Sequence, residues 1–283
     1  MILYKYAGGD SGLKILENLR LKITPPNEFN DPFEITPNTR RSRPLAEMVA
    51  GATKDSHYFR SVYDDMVENG ENVGTFDQFI RDMPAAIPKY YSPYKKLSRQ
   101  EMIKRDLGAL DEVSLQLGVL CLSKPRDNIP MWSYYGDHHR GIVFGINVNS
   151  IGGRLPGKSG FVKYCKNRVR LNPFASQPLA VSQRERVLFT KSHQWRHEEE
   201  YRRGFLLSDL VSQMSAANGL KRYFLDISGN SIEEIILGCR ISSETEGKIR
   251  QQLARRKRTF GHVRLLRCER HVSKFVLKVV GGG

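Results

Sequence analysis

Residues 195–202 read Trp195-Arg196-His197-Glu198-Glu199-Glu200-Tyr201-Arg202 and lead into Arg203-Gly204-Phe205-Leu206. The segment opens with aromatic and charged residues and ends apolar, as a chain does on entering a sheet, and residues 200–206 are predicted to be a β-strand. Alternate residues of a strand share a face. On that spacing Glu198 and Glu200 point the same way, about 7 Å apart along the strand, with Arg202 beyond them on the same face. Two carboxylates so placed can stabilise a cationic transition state or take a proton. The same letters also fit a solvated acidic patch, but the flanking Trp195 and Tyr201 favour partial burial.

Working outward from this strand gives the fold class. Further strands are predicted at residues 2–6, 21–24, 118–123, 141–148, 161–165, 221–227, 232–237, 263–268 and 275–280, where β-branched, aromatic and aliphatic residues cluster between turn formers. A short helix carries Leu13, Ile15, Leu16 and Leu19, with Asp10 and Ser11 able to cap it. Residues 130–135 form another short helix. A longer one starts at Ser242 and runs to about Arg258, its glutamates early and its basic residues late, as the helix dipole favours. Residues 40–116 differ: polar residues at helical spacing are interrupted near Gly70–Gly74, Pro84, Pro88 and Pro93. They read as a helical insertion, with Tyr58, Tyr63, Tyr90, Tyr91 and Tyr94 as packing residues. The prediction is an α+β chain, one domain over residues 1–283.

The composition narrows the functional classes. The chain has 283 residues and a formal net charge of +15. Residues 240–283 hold twelve Lys/Arg against three Asp/Glu, densest at Arg255-Arg256-Lys257-Arg258. A field of that sign draws polyanions, nucleic acid first among them. No run approaches the roughly 18 apolar residues of a membrane span. The opening residues lack the basic start and apolar run of a signal peptide, so a cytoplasmic, membrane-free location is expected. Cys121, Cys165, Cys239 and Cys268 are widely separated and form no CxxC pair, which argues against a structural metal or a disulfide framework.

Three other segments carry chemistry. Gly152-Gly153-Arg154-Leu155-Pro156-Gly157-Lys158-Ser159 matches a phosphate-binding loop, but such a loop must open a helix. Here β-like residues follow, and a hairpin-like connection is expected. Phe29-Asn30-Asp31-Pro32-Phe33-Glu34 places two aromatics around a turn whose Asn30 and Asp31 can either fix the turn or bond a ligand. In Met131–Gly141, Trp132 and Tyr135 share a helix face, either as a core stripe or as a stacking wall with His139 and Arg140 beside it. His138 and His139 diverge too far to be a metal pair, and no metal site is expected.

Taken in order, these segments resemble a widespread prokaryotic family of uncharacterised domains found near phage-defence and toxin genes. Its pattern matches Leu3–Tyr6, Ile15-Leu16, Phe29–Glu34, Cys121–Ser123, Met131–Tyr135, His139–Gly141 and Trp195–Arg202, and skips residues 40–116. The layout of that family is similar in outline to the ADP-ribosyltransferase fold. The resemblance implies a split β-sheet core with a helical insertion, NAD as co-substrate, and nucleic acid (RNA or single-stranded DNA) as acceptor, in a toxin or defence effector with a neutralising antitoxin partner. It gives Glu200 the ribose and Glu198 the acceptor. Tyr4, Lys5, Tyr6, Asn30, Asp31, Ser123, Trp132, Tyr135, His139 and Arg202 would contact the cofactor. The first strand has neither the His nor the Arg usual there, so Lys5 or Tyr6 must serve. Arg255, Arg256, Lys257 and Arg258 would hold nucleic acid. A nuclease using His139, Glu198 and Glu200, or a non-catalytic nucleic-acid-binding protein, are the alternatives.

Overall fold

A computed structural model describes residues 1–37, 114–151, 159–169, 185–214 and 221–281, with residues 74–82 and isolated positions between 60 and 85. In chain order the elements are β1 (Ile2–Ala7), α1 (Gly9–Asn18), β2 (Arg20–Ile23), β3 (Leu117–Ser123), α2 (Ile129–Tyr134), β4 (Ile142–Asn147), β5 (Ser159–Phe161), β6 (Lys163–Cys165) and β7 (Thr190–Ser192). After a 3₁₀ turn (His193–Glu198) come β8 (Glu200–Leu206), β9 (Val211–Met214), β10 (Lys221–Asp226), β11 (Ile232–Leu237), α3 (Ser243–Arg255), α4 (Lys257–Phe260), β12 (Arg264–Arg270) and β13 (Leu277–Gly281). The mixed α+β class expected from the sequence is the one observed.

Eight strands form one sheet in the order β13-β12-β11-β4-β1-β3-β8-β5. Its pairings are antiparallel except β11 with β12, which run parallel and are joined through α3 and α4. Smaller sheets are β2-β10-β9 and the parallel pair β6-β7. The main sheet is covered on both faces at its centre, which is why β4 reads as a continuous apolar run and not an alternating one. Ile142, Phe144 and Ile146 face one core with Leu16 of α1, Ile235 of β11 and Ile249 of α3. Val143, between them, faces a second core with Tyr6, Ile236 and Trp132 of α2. Each such aliphatic or aromatic side chain contributes roughly 1.5–3 kcal/mol by leaving water. Gly12 lets α1 lie close on the sheet: a Cβ there would stand 2.5 Å from Ile142 Cδ1.

Local expectations were refined in four places. Helix α1 starts at Gly9 behind Gly8 without a side-chain cap, and Asp10 lies in its first turn rather than capping it; Leu19 is its left-handed C-cap, not part of the helix. The run 161–165 is two strands, because the chain crosses at Val162 from pairing β8 to pairing β7. The helix expected to reach Arg258 stops at Arg255 and resumes as α4. At the break Arg256 donates to the carbonyls of Leu16 and Glu17 and caps the end of α1. Ser242 caps α3 as its position suggested, accepting from the Thr245 amide at 3.1 Å.

The expected insertion at 40–116 lies largely outside the described residues. Within it Tyr63 packs edge-on against Phe76 and Phe79. Tyr58, Tyr90, Tyr91 and Tyr94 lie outside the described residues. So do residues 152–158 of the phosphate-loop-like segment. Ser159, its last residue, opens strand β5, which pairs β8 and not β4, so the connection is not a hairpin. Among the described residues no helix is long and apolar enough to cross a membrane.

Candidate functional site

Strand β1 pairs with β4 along its whole length but with β3 at one position, Tyr4 opposite Ser123. The sheet therefore opens between β1 and β3. A cavity of about 410 Å³ lies there, lined by Tyr4, Lys5 and Tyr6 of β1, Cys121–Ser123 of β3, Tyr134 and Tyr135 beside α2, Phe29, Asn30 and Glu34, and Lys191, Glu198 and Glu200. Lys5 reaches across the opening and donates to the Cys121 carbonyl at 3.2 Å.

The floor is a buried charge cluster. Lys191 of β7 lies 2.5 Å from Glu198 Oε2, 3.0 Å from Glu200 Oε2 and 3.5 Å from Glu34 Oε1. Arg202 holds Glu200 with both ends of its fork, Nε to Oε1 at 2.9 Å and Nη2 to Oε2 at 3.0 Å, and pairs with Glu34. All five side chains are buried. Three carboxylates face two cations; counting buried Asp31 and half-buried Lys5 as well leaves the same excess of one negative charge.

That excess in a desolvated place shifts proton affinities. Burial raises the Glu200 carboxyl above its ordinary value, Lys191 opposes the rise, and neighbouring Glu198 adds to it. Burial alone would lower Lys191, but Glu200 and Glu198 outweigh it and hold the ammonium above its usual range. Lys5 is pulled down by burial. The Tyr135 hydroxyl, raised by burial and by Glu198, donates to Glu198 Oε1 at 2.8 Å and accepts from Asn30 Nδ2 at 3.1 Å. The Tyr164 hydroxyl, pushed up by burial to about 12, accepts from the Glu200 amide at 2.8 Å. Burial, then Glu200, raises the Cys121 thiol, so it is protonated and a poor nucleophile at neutral pH.

The two glutamates meet by a different route from the strand alternation expected. Glu198 ends the 3₁₀ turn, Glu199 adopts a left-handed conformation at φ 41°, and only Glu200 lies in the strand. The kink turns Glu199 to solvent and leaves the neighbours on either side facing Lys191. Ser123 Oγ fixes the turn by donating to the Glu198 carbonyl at 2.5 Å. The expectation that Arg202 shares a face with Glu200 holds.

Of the expected cofactor contacts, Tyr4, Lys5, Tyr6, Asn30, Ser123 and Tyr135 line the cavity. Four do not. Trp132 is 0% exposed, its Nε1 donating to the Arg126 carbonyl and its ring against Tyr6 and His139, so it is a core residue and not a stacking wall. His139 is stacked on Trp132 and does not line the cavity that holds Glu198 and Glu200. Asp31 accepts from the Phe33 amide and fixes the turn. Arg202 is committed to Glu200, Glu34 and the Leu188 carbonyl. In the basic run, Arg255, Lys257 and Arg258 are exposed, while Arg256 is occupied by α1.

Sequence reasoning missed Lys191, the centre of the cluster, and Tyr134, an exposed rim residue against Trp195 and His197. Lys191 sits between Thr190 and Ser192, and nothing local marks it; only its three distant carboxylates do. Among the described residues no group of His, Cys, Asp and Glu is placed to hold a metal ion. No family model, no curated protein and no solved structure matches the chain.

Proposed function

We propose that the chain is an NAD-dependent ADP-ribosyltransferase that modifies nucleic acid, RNA or single-stranded DNA, as a toxin or defence effector. One observation carries the reading: a surplus carboxylate, buried and anchored by Lys191 and Arg202, at the end of a cavity where the sheet opens between β1 and β3. Breaking the nicotinamide–ribose bond sends the electron pair out with neutral nicotinamide and leaves positive charge on the ribose. A preorganised negative site in a dry cleft stabilises that charge as it grows. The acceptor oxygen or nitrogen then bonds the ribose carbon and gives up its proton to a carboxylate.

We give the ribose contact to Glu198, where the resemblance gave it to Glu200, and a charge-setting role to Glu200. Arg202 engages both oxygens of Glu200 and Lys191 adds a third bond, whereas each oxygen of Glu198 has one partner and a lone pair to spare. Tyr134 or Tyr135, on the cavity wall, offers the nicotinamide a ring face in place of Trp132. The net charge of +15 favours a polyanionic acceptor.

The test is incubation with ³²P-labelled NAD and, separately, RNA, single-stranded DNA and protein extract. Label should pass to nucleic acid with wild type, and Glu198→Gln should reduce transfer about 10²–10³-fold. Label on protein alone would replace the acceptor. Intact NAD in every arm would refute the transferase.

A further inference from the structure

The Phe29–Glu34 turn separates two cavities. Phe29, Asn30 and Glu34 face the cavity between β1 and β3, while Phe33, Ile35 and Thr36 face a second one of about 450 Å³. The second is also lined by Cys165, Lys166, Asn167 and Arg168 after β6, and by Thr190, Lys191, Ser192 and Gln194 around β7. Lys191 belongs to both walls. The two have opposite chemistry. The first holds four carboxylates, Glu28, Glu34, Glu198 and Glu200; the second, among the described residues, holds none and is polar, basic and partly aromatic.

We infer that this second cavity seats one nucleotide of a single-stranded nucleic acid, with its base on Phe33 and its phosphates on Lys166 and Arg168. Phe33 is 63% exposed and lies between buried Asp31 and buried Glu34, in a turn whose Asn30 and Pro32 are also exposed. Asp31 and Glu34, which flank the Pro32-Phe33 pair, are held by the turn hydrogen bond and the ion cluster, so the ring is presented on a fixed support. The Arg168 guanidinium stands 5.9 Å from the centre of the ring. A planar base sandwiched between two flat groups needs about 7 Å, twice a van der Waals contact, so a shift of about 1 Å by an exposed arginine admits it. Stacking on an aromatic ring with cations on the phosphates is how unpaired strands are held without dependence on sequence. An acidic peptide would use the same cations but has no use for an exposed phenyl ring beside them. Duplex DNA presents no free base face.

The inference deepens the proposed function by locating the acceptor strand one residue from Glu34, in a cavity that shares Lys191 with the one holding Glu198. It rests on that reading only for the purpose of the site, since binding needs no NAD. The test is fluorescence anisotropy of a labelled 12-nucleotide RNA and the matching DNA strand with full-length protein and no NAD, across a salt series. Phe33→Ala should weaken binding about tenfold or more, and Phe33→Trp should keep it. Arg168→Glu should weaken binding and flatten the salt dependence by about one phosphate contact. Phe33 and Arg168 are exposed, and matching melting curves would confirm that the variants fold. Binding unaffected by Phe33→Ala and displaced equally by polyglutamate would overturn the site, as would binding lost only on charge reversal of Arg255, Lys257 and Arg258. Phe33-dependent binding without NAD turnover would retain the site and remove the transferase. NAD turnover with Phe33-independent binding would do the opposite.

Discussion

Replacing Lys191 by methionine keeps an unbranched side chain one atom shorter and removes the charge that holds Glu198, Glu200 and Glu34 together. Arg202 remains for Glu200 and Glu34, so Glu198 loses its cation outright, and the buried excess rises from one negative charge to two. Removing one partner from a buried pair costs about 3–5 kcal/mol, a large part of the roughly 5–15 kcal/mol that holds a domain folded. At about 2–4 °C per kcal/mol, the melting temperature at pH 7 should fall by roughly 6–20 °C. The sign of the pH dependence follows from Glu200, which is already raised above 4.5 and will rise further without the ammonium. A carboxyl raised on folding binds its proton more tightly folded than unfolded. Its penalty is present above the folded value and fades as pH falls through that value towards 4.5. The deficit of Lys191→Met should therefore shrink between pH 7 and pH 5, and adding Glu198→Gln should recover part of it. Calorimetry at both pH values measures each quantity. A loss under about 1 kcal/mol, or a deficit that grows on acidification, would show that the cluster is hydrated and that Lys191 is not its centre.

In the wild type, Lys191 is raised above 10.5, so its stabilisation should persist up to that pH and disappear only as pH rises beyond it, visible as an alkaline limb in the unfolding midpoint. Tyr135→Phe removes the donor to Glu198, a bond to a charged group, and should lower the urea-derived stability by about 1.5–3 kcal/mol together with NAD turnover. Gly145→Ala places a Cβ 2.5 Å from Glu234 Cγ and 3.3 Å from Tyr4 Cε1; thermal melting should show a loss of about 1–3 kcal/mol. Arg256→Ala should destabilise the fold by uncapping α1, whereas Arg255→Ala, on an exposed side chain, should leave the melting temperature within about 1–2 °C.

The elements of this protein follow from short-range rules, and those were legible in the chain. Alternation placed Glu200 and Arg202 on one face of β8, and they bond there. Ser242, ahead of Glu244 and Glu246, marked the start of α3. The run 141–148 marked a strand, and β4 lies within it. Local spacing, however, carries no information on what lies opposite. Trp132 and Tyr135 share a helix, yet one became core and the other cavity wall, because Tyr6 and His139 cover only the first. Arg256 looked like its basic neighbours until the end of α1 was found against it. The charge cluster joins a turn near residue 34, a three-residue strand at 191 and the start of β8. The sequence by itself determined most of the segments that become strands and helices and the shared face of Glu200 and Arg202, because those depend on neighbours within a few residues; it did not mark the short strands β7 and β9. The tertiary structure alone decided that three carboxylates and two cations meet in one buried cluster, since burial and pairing are set by chain segments that only closure of the fold brings together.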